Sequence, residues 1–296
     1  MNIDNYQAEA AETMQFNKDS QEARTIVMLG LSGEVGTLET EYKKKLRDGD
    51  RHELFKEKIM EEIGDIIWYL SSIATIENIS LSKILKSNLK KTRERWADLP
   101  DTKQLEFEGE FLDDAFEEHE QFPREFIAEF RKGVDQRGRE CVDVFIDGKK
   151  FGNSVRDNHY ENDDYRFHDI FHLSYVTVLG WSPNSRGLMR RKRISDKIID
   201  EVEDGGRAIV IDEAISILVF EHAKNHRFFD GVTTLDQELL RTIRLLTRHL
   251  EVKKATPKEW ERAILTGFKV WRKMRNAKEG RVICNLHEKT MAFESL

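Results

Sequence analysis

The sequence predicts a mainly α protein in two parts: an antiparallel bundle of four helices, then a mostly helical C-terminal domain with one small β-hairpin. Two observations carry this prediction. Apolar residues recur at helical spacing through most of the chain. The clearest alternating stretch, Cys141 to Gly152, turns at Asp147-Gly148, a dipeptide that suits a two-residue hairpin loop. The totals agree, because 296 residues give room for two cores, and 35% charged with 39% hydrophobic residues is an ordinary helix-rich balance.

Taken in order, Asp4 is placed to cap a first helix running to about Phe16, with Tyr6, Ala10 and Thr13 inward. A second is expected from about Gln21 to Leu46, stopped at Asp48-Gly49-Asp50, where Gly49 suits a helix end. A third spans about Arg51 to Glu77. A fourth opens at Ser80 or Ser82 and reaches Trp96 before Pro100 blocks extension. The bundle domain is thus set at 1–97. Residues 98–130 read as an acidic linker, ordered in part through Phe107, Phe111, Phe116 and Phe122, and residues 131–296 as the C-terminal domain. After the hairpin, helices are expected at about 164–180, 192–203, 207–226, 233–251 and 257–277. Thr256-Pro257-Lys258-Glu259 offers the last one both a capping box and a first-turn proline.

Several function classes drop out. No apolar run approaches the ~18 residues needed to cross a bilayer, and Met1 to Asp4 lack the start of a secretory leader, so a cytoplasmic location without membrane contact is expected. Cys141 and Cys284 stand far apart, which supports neither a disulfide framework nor a thiolate zinc site. The net charge of −7 argues against a general nucleic-acid binder, yet it is unevenly spread. Residues 101–130 hold eleven acids against two bases, and residues 241–281 thirteen bases against four acids. Arg186, Arg190, Arg191, Lys192 and Arg193 add a basic cluster, which fits either phosphate or nucleic acid, or the acidic segment of the same or a neighbouring subunit. Pairing with the acidic segment is the favoured reading.

The chemistry concentrates in two neighbouring helices. In the second, Leu31, Val35, Leu38 and Tyr42 form an apolar stripe with Glu34, Thr37 and Glu41 beside it. In the third, Ile59, Ile63, Ile66, Leu70 and Ile73 form the stripe, flanked by Glu62 and Asp65. If the stripes pack together, carboxylates from both helices meet at the edge of an apolar core. Such an oxygen-rich site suits Mg²⁺, which sits between carboxylates and substrate phosphates.

The text Leu31-Ser32-Gly33-Glu34-Val35-Gly36, followed by Glu61-Glu62-Ile63-Gly64-Asp65-Ile66-Ile67-Trp68-Tyr69-Leu70 and Asn88-Leu89-Lys90-Lys91-Thr92-Arg93-Glu94-Arg95-Trp96, resembles the MazG family of all-α nucleoside triphosphate pyrophosphohydrolases. The family pattern is E-x-x-E, a spacer, then E-x-x-D. Glu34, Glu62 and Asp65 fall on three of the four acids, and Thr37 takes the place of the fourth. The resemblance implies Mg²⁺, with Mn²⁺ as a substitute, held by Glu34, Glu62 and Asp65. Glu41, or a water on Thr37, would stand in for the missing ligand, with Glu61 as a further aid. It also implies hydrolysis of a nucleoside triphosphate or related nucleotide to monophosphate and pyrophosphate, and a homo-oligomer, dimer or tetramer. Asn88, Lys91 and Arg95 share one face of the fourth helix and suit phosphate or sugar. Because Thr37 breaks the motif, a catalytically weak nucleotide or metal sensor serving the C-terminal domain is the alternative reading, and a nucleic-acid-binding protein a third.

A second constellation is Asp163-Asp164-Tyr165-Arg166-Phe167-His168-Asp169-Ile170-Phe171-His172. His168 and His172, at i and i+4, can reach one metal or one phosphate, and with Asp169 and Glu213 form a candidate second site. Two histidines satisfied within a helix interface are the plainer alternative. This half resembles the C-terminal domain attached to some stand-alone MazG-type proteins.

Overall fold

The computed structural model describes residues 1–96 and 111–296, with side chains through Arg93 in the first stretch. The chain divides into two compact units, Met1–Arg93 and Glu94–Leu296. The expected mainly α class holds, with one addition: the hairpin is part of a five-stranded antiparallel sheet.

The N-terminal unit contains α1 (Ile3–Glu12), α2 (Gln21–Asp48), α3 (Phe55–Ile76) and α4 (Leu81–Trp96). Asn2, rather than Asp4, caps α1 by accepting the Asn5 N–H at 2.8 Å. The helix stops at Glu12, short of Phe16. There Thr13 turns its hydroxyl onto the Ala10 carbonyl and accepts the Trp68 indole N–H at 2.7 Å. Ser20 caps α2, and Gly49, at φ 61°, ends it with its N–H bonded to the Lys45 carbonyl. That left-handed turn is the one the sequence marks with glycine.

α2 and α3 pack closely because Gly30 has no Cβ. One placed there would meet the Tyr69 ring at 2.2 Å. Around this contact Ala23, Val27 and Ile76 are buried, with Phe16, Tyr69 and Ile73 packed against them. The core is smaller than the apolar stripes imply. Val35, Tyr42, Ile63 and Leu70, expected inward, are 40–52% exposed, and residues 83–93 of α4 are exposed as well, so among the described residues of this unit α4 does not close over that face.

The C-terminal unit has β1 (Glu125–Val134), β2 (Glu140–Ile146) and β3 (Lys149–Val155), then α5 (Asp169–Leu179), α6 (Pro183–Leu188), α7 (Lys197–Val202), α8 (Gly206–Lys224), α9 (Gln237–Thr247) and α10 (Pro257–Ala277), and ends in β4 (Gly280–Asn285) and β5 (Thr290–Glu294). Asp147 and Gly148, at φ 49° and 76°, make the β2–β3 turn as expected. The sheet order is β3-β2-β1-β4-β5, so β1 is its centre, in register with β2 at Phe130–Val144 and with β4 at Phe126–Cys284. The segment expected as linker therefore supplies the central strand from Glu125 on. Its alternation buries Phe126, Ala128 and Phe130 and leaves Glu125 and Ile127 exposed.

The helical layer is built on α5, buried from Asp169 to Val178, against α10. Gly267 permits the approach, since a Cβ there would sit 2.7 Å from the Ser174 hydroxyl. Phe171 and Phe268 stack at 4.5 Å, and Trp271 is fully buried beside them. Thr256 and Glu259 form the expected capping box of α10.

Part of this unit's interior is ionic. Arg193 is buried, pairs with Asp204 through Nη2 at 2.7 Å and with Glu251 at 2.7 Å, and donates to the Leu112 carbonyl. Arg186 pairs with Asp113 at 3.0 Å and donates to the Glu120 carbonyl, and Arg191 donates to the Glu118 carbonyl. Three residues of the basic cluster, Arg186, Arg191 and Arg193, thus engage the segment of their own chain from Leu112 to Glu120, while Lys192 pairs with Asp200. Removing one partner from a buried pair of this kind costs about 3–5 kcal/mol, because the other charge is left without compensation.

Candidate functional site

Two carboxylates of the first motif converge where α2 meets α3. The Thr37 hydroxyl lies 2.6 Å from Glu62 Oε2, 3.4 Å from Glu34 Oε2 and 2.9 Å from the Glu34 carbonyl. One hydroxyl thus touches a carboxylate from each helix, so the two acid groups stand no further apart than those contacts laid end to end. Glu34 and Glu62 are half-buried, and Asp65 lies exposed one turn further along α3. Burial first, and then the charge of Asp65, push the Tyr6 phenol above its ordinary range, which places that carboxylate near α1. Every donor here is oxygen, and the set is acidic and open to solvent. Its chemistry fits a hard divalent cation and the phosphates such a cation brings with it.

Glu41, further along α2, has partners of its own. It is buried, takes the Lys44 ammonium at 2.5 Å, and lies 2.8 Å from His52 Nε2. Those two hydrogen bonds, Lys44 first and His52 second, hold its carboxyl below the usual range. The turn after Gly49 brings His52 back over the end of α2, where it reaches Glu41. Glu61 is likewise engaged, by Lys58 at 2.8 Å.

Asn88 and Lys91 lie exposed on α4 and line a groove of about 480 Å³ with Ile79, Lys83, Ile84 and Ser87. The Arg95 side chain and Phe107 lie outside the described residues. Within the described residues, the contacts that join the acids run through Thr37 and not through α4.

The second constellation is assembled more tightly than spacing alone implies. His168 precedes α5 and His172 lies on it; their rings are 5.6 Å apart at 78°. His168 Nδ1 is 3.0 Å from the Tyr165 carbonyl, and the Tyr165 ring stacks on the imidazole at 4.6 Å. His172 Nδ1 is 2.8 Å from Asp212 Oδ1 on α8, and its Nε2 is 3.4 Å from Glu213 Oε2 without hydrogen-bond geometry. Burial works against a charged His172 ring, but Asp212 and then Glu213 outweigh it and raise its pKa well above the ordinary histidine range. Burial also opposes ionised Glu213, yet His172 holds that carboxyl below its usual range. Asp212 is fully buried and takes the Ser182 hydroxyl at 2.6 Å and the Asn184 N–H at 3.1 Å; Asn184 also donates to Glu213 at 2.6 Å. Sequence reasoning selected Glu213 and passed over its neighbour Asp212. The one local signal was the adjacency of two acids on an otherwise apolar helix.

Comparison with known proteins covers both units. A family model described as the MazG nucleotide pyrophosphohydrolase domain matches residues 24–99, and one described as the MazG C-terminal domain matches residues 108–296. The Gene 37 protein of Mycobacterium phage L5 is 33% identical over 101 residues, a match covering 32% of this chain and 89% of that protein. No solved structure matches.

Glu41→Gln should lower the thermal unfolding midpoint, by loss of the Lys44 and His52 pairing, while leaving divalent-metal affinity at its wild-type value in a calorimetric titration. An affinity loss of tenfold or more with the fold intact would return Glu41 to the metal site.

Proposed function

Because this chain belongs to the MazG family of nucleotide pyrophosphohydrolases, with the family's C-terminal domain, we propose that it hydrolyses nucleoside triphosphates or related nucleotides to the monophosphate and pyrophosphate. Glu34, Glu62 and Asp65 are the residues that would hold Mg²⁺, or Mn²⁺ in its place. The observation that carries this reading is the meeting of Glu34 and Glu62 at the Thr37 hydroxyl. When bound, the metal offsets the charge of the triphosphate and lowers the pKa of a coordinated water. Glu34 and Glu62 anchor the site from two helices, so its geometry follows from α2–α3 packing. Thr37 orients Glu62 by donating to it. Lys91 and Arg95 complement phosphate charge, Lys as a point charge and Arg as a planar fork. Water adds at phosphorus, the bond between the α and β phosphates breaks, and pyrophosphate leaves.

A weaker enzyme, or a sensor that binds without turnover, is the second reading. What favours it is Thr37 itself, which supplies a neutral hydroxyl where the family pattern has an acid and uses it on Glu62. A nucleic-acid role is disfavoured by the intrachain engagement of Arg186, Arg191 and Arg193.

The reading includes a homo-oligomer, dimer or tetramer, whose partner copy covers the apolar face of the N-terminal unit. Leu29, Met60, Ile63, Leu70, Leu85 and Leu89 are 42–75% exposed there, more than a soluble monomer usually leaves uncovered in one small unit.

Glu62→Gln and Asp65→Asn should each reduce Mg²⁺-dependent pyrophosphate release at least a hundredfold with the circular dichroism spectrum unchanged; wild-type rates in either would remove the site assignment. Thr37→Glu separates the two readings: faster hydrolysis marks a weakened enzyme, whereas no turnover before or after, with nucleotide binding retained, marks a sensor. Light scattering should give at least twice the single-chain mass, falling toward one chain in Leu85→Glu/Leu89→Glu; a monomeric wild type would contradict the oligomer.

A further inference from the structure

We propose that the C-terminal domain carries its own divalent transition-metal site, built by His168 Nε2, Asp169 and His172 Nε2 with Glu213 at its open edge. The ligand atoms of His168, Asp169 and His172 lie within 4.8 Å of one another, close enough to share one ion. Each imidazole already spends its Nδ1, His168 on the Tyr165 carbonyl and His172 on Asp212. With Nδ1 engaged, each ring is held with Nε2 free to turn to the cluster, and a second partner on the far nitrogen is how metal-binding histidines are oriented; a metal at His172 Nε2 takes the place of the proton that its acidic neighbours favour. Asp212 is in turn fixed by Ser182 and Asn184, so the support extends one layer further out.

The independent observation is His172 Nε2. The residue is fully buried, yet this nitrogen has no hydrogen-bond partner. A buried polar atom left unmatched costs about 1–3 kcal/mol. A buried nitrogen without a hydrogen bond, inside an otherwise ordered network, fits a position completed by a ligand.

Charge balance points the same way. The start of α5 contributes a positive end equivalent to about half a unit charge, which disfavours a cation. Three carboxylates, Asp169, Asp212 and Glu213, face that end and outweigh it. Two imidazole nitrogens with carboxylate oxygens select zinc, manganese or iron over Mg²⁺, so this site differs in metal preference from the all-oxygen cluster of the N-terminal unit. Glu213 is 43% exposed and His168 partly so, which leaves one side of the site accessible to water or a small anionic ligand.

The test uses the full-length protein carrying His226→Gln, which breaks up the exposed His222–His226 pair, a rival imidazole site with rings 4.4 Å apart. Chelator-stripped protein is reloaded with Zn²⁺ in excess Mg²⁺, freed of unbound metal, and examined by metal analysis and zinc-edge X-ray absorption. We expect one zinc per chain with scattering from two imidazoles, unchanged in Glu62→Gln and weakened at least tenfold in His168→Gln and in Asp169→Asn. His168→Gln leaves the buried His172–Asp212 pair in place, so it keeps the comparison open should Asp169→Asn fail to fold. Equal zinc in wild type and His168→Gln, or a wild-type spectrum without imidazole scattering, would overturn the proposal and leave the cluster as a metal-free ion pair.

Discussion

The packing of α2 on α3 is the constraint on which the N-terminal chemistry depends. Two carboxylates brought to one hydroxyl repel each other, by about 1 kcal/mol at ~4 Å in water and about 4 kcal/mol at the lower effective dielectric of a protein surface. The helices hold them there regardless, because Gly30 lets α2 seat against the Tyr69 ring and the Ala23, Val27 and Ile76 contacts fix the phase of both helices. Two acids held together by apolar packing suit a divalent cation, which would relieve their repulsion. The Thr37 hydroxyl does part of that work by donating to Glu62.

The two units handle charge in opposite ways. The N-terminal unit keeps Glu34, Glu62 and Asp65 at a solvent-facing edge and buries only Glu41 among its acids that the structure describes. The C-terminal unit buries arginines outright and matches them, Arg193 with Asp204 and Glu251, Arg186 with Asp113. Those pairs tie Leu112 to Glu120 onto the helical layer before the chain enters β1, so the acidic stretch is structural where it is described. The same device, an acid fixed by neighbours in the interior, sets Asp212 behind His172.

What the sequence discloses here is what is local. The acid phases on α2 and α3, the Gly49 stop, the Asp147-Gly148 turn and the α10 capping box all rest on residues within a few positions of one another, and each is found where it was expected. What it conceals is what depends on distant pairing. β1 reads as acidic linker because Glu125 and Glu129 mask the inward alternation of Phe126, Ala128 and Phe130, and its partner β4 lies some 150 residues later. Glu41 and Asp212 show the same limit at single side chains. Helical spacing did not disclose that a turn brings His52 back to Glu41, and Asp212 became identifiable only when α8 was seen against α5.

The central proposal is hydrolysis between the α and β phosphates at the N-terminal acids, and phosphorus NMR of the reaction products tests it most directly. Full-length protein incubated with a panel of nucleoside triphosphates and Mg²⁺ should give monophosphate and pyrophosphate in equal molar amounts, the pyrophosphate resonance carrying twice the phosphorus intensity, with neither when the metal is chelated. Diphosphate and inorganic phosphate as the first products, or no turnover across the panel with either Mg²⁺ or Mn²⁺, would contradict it.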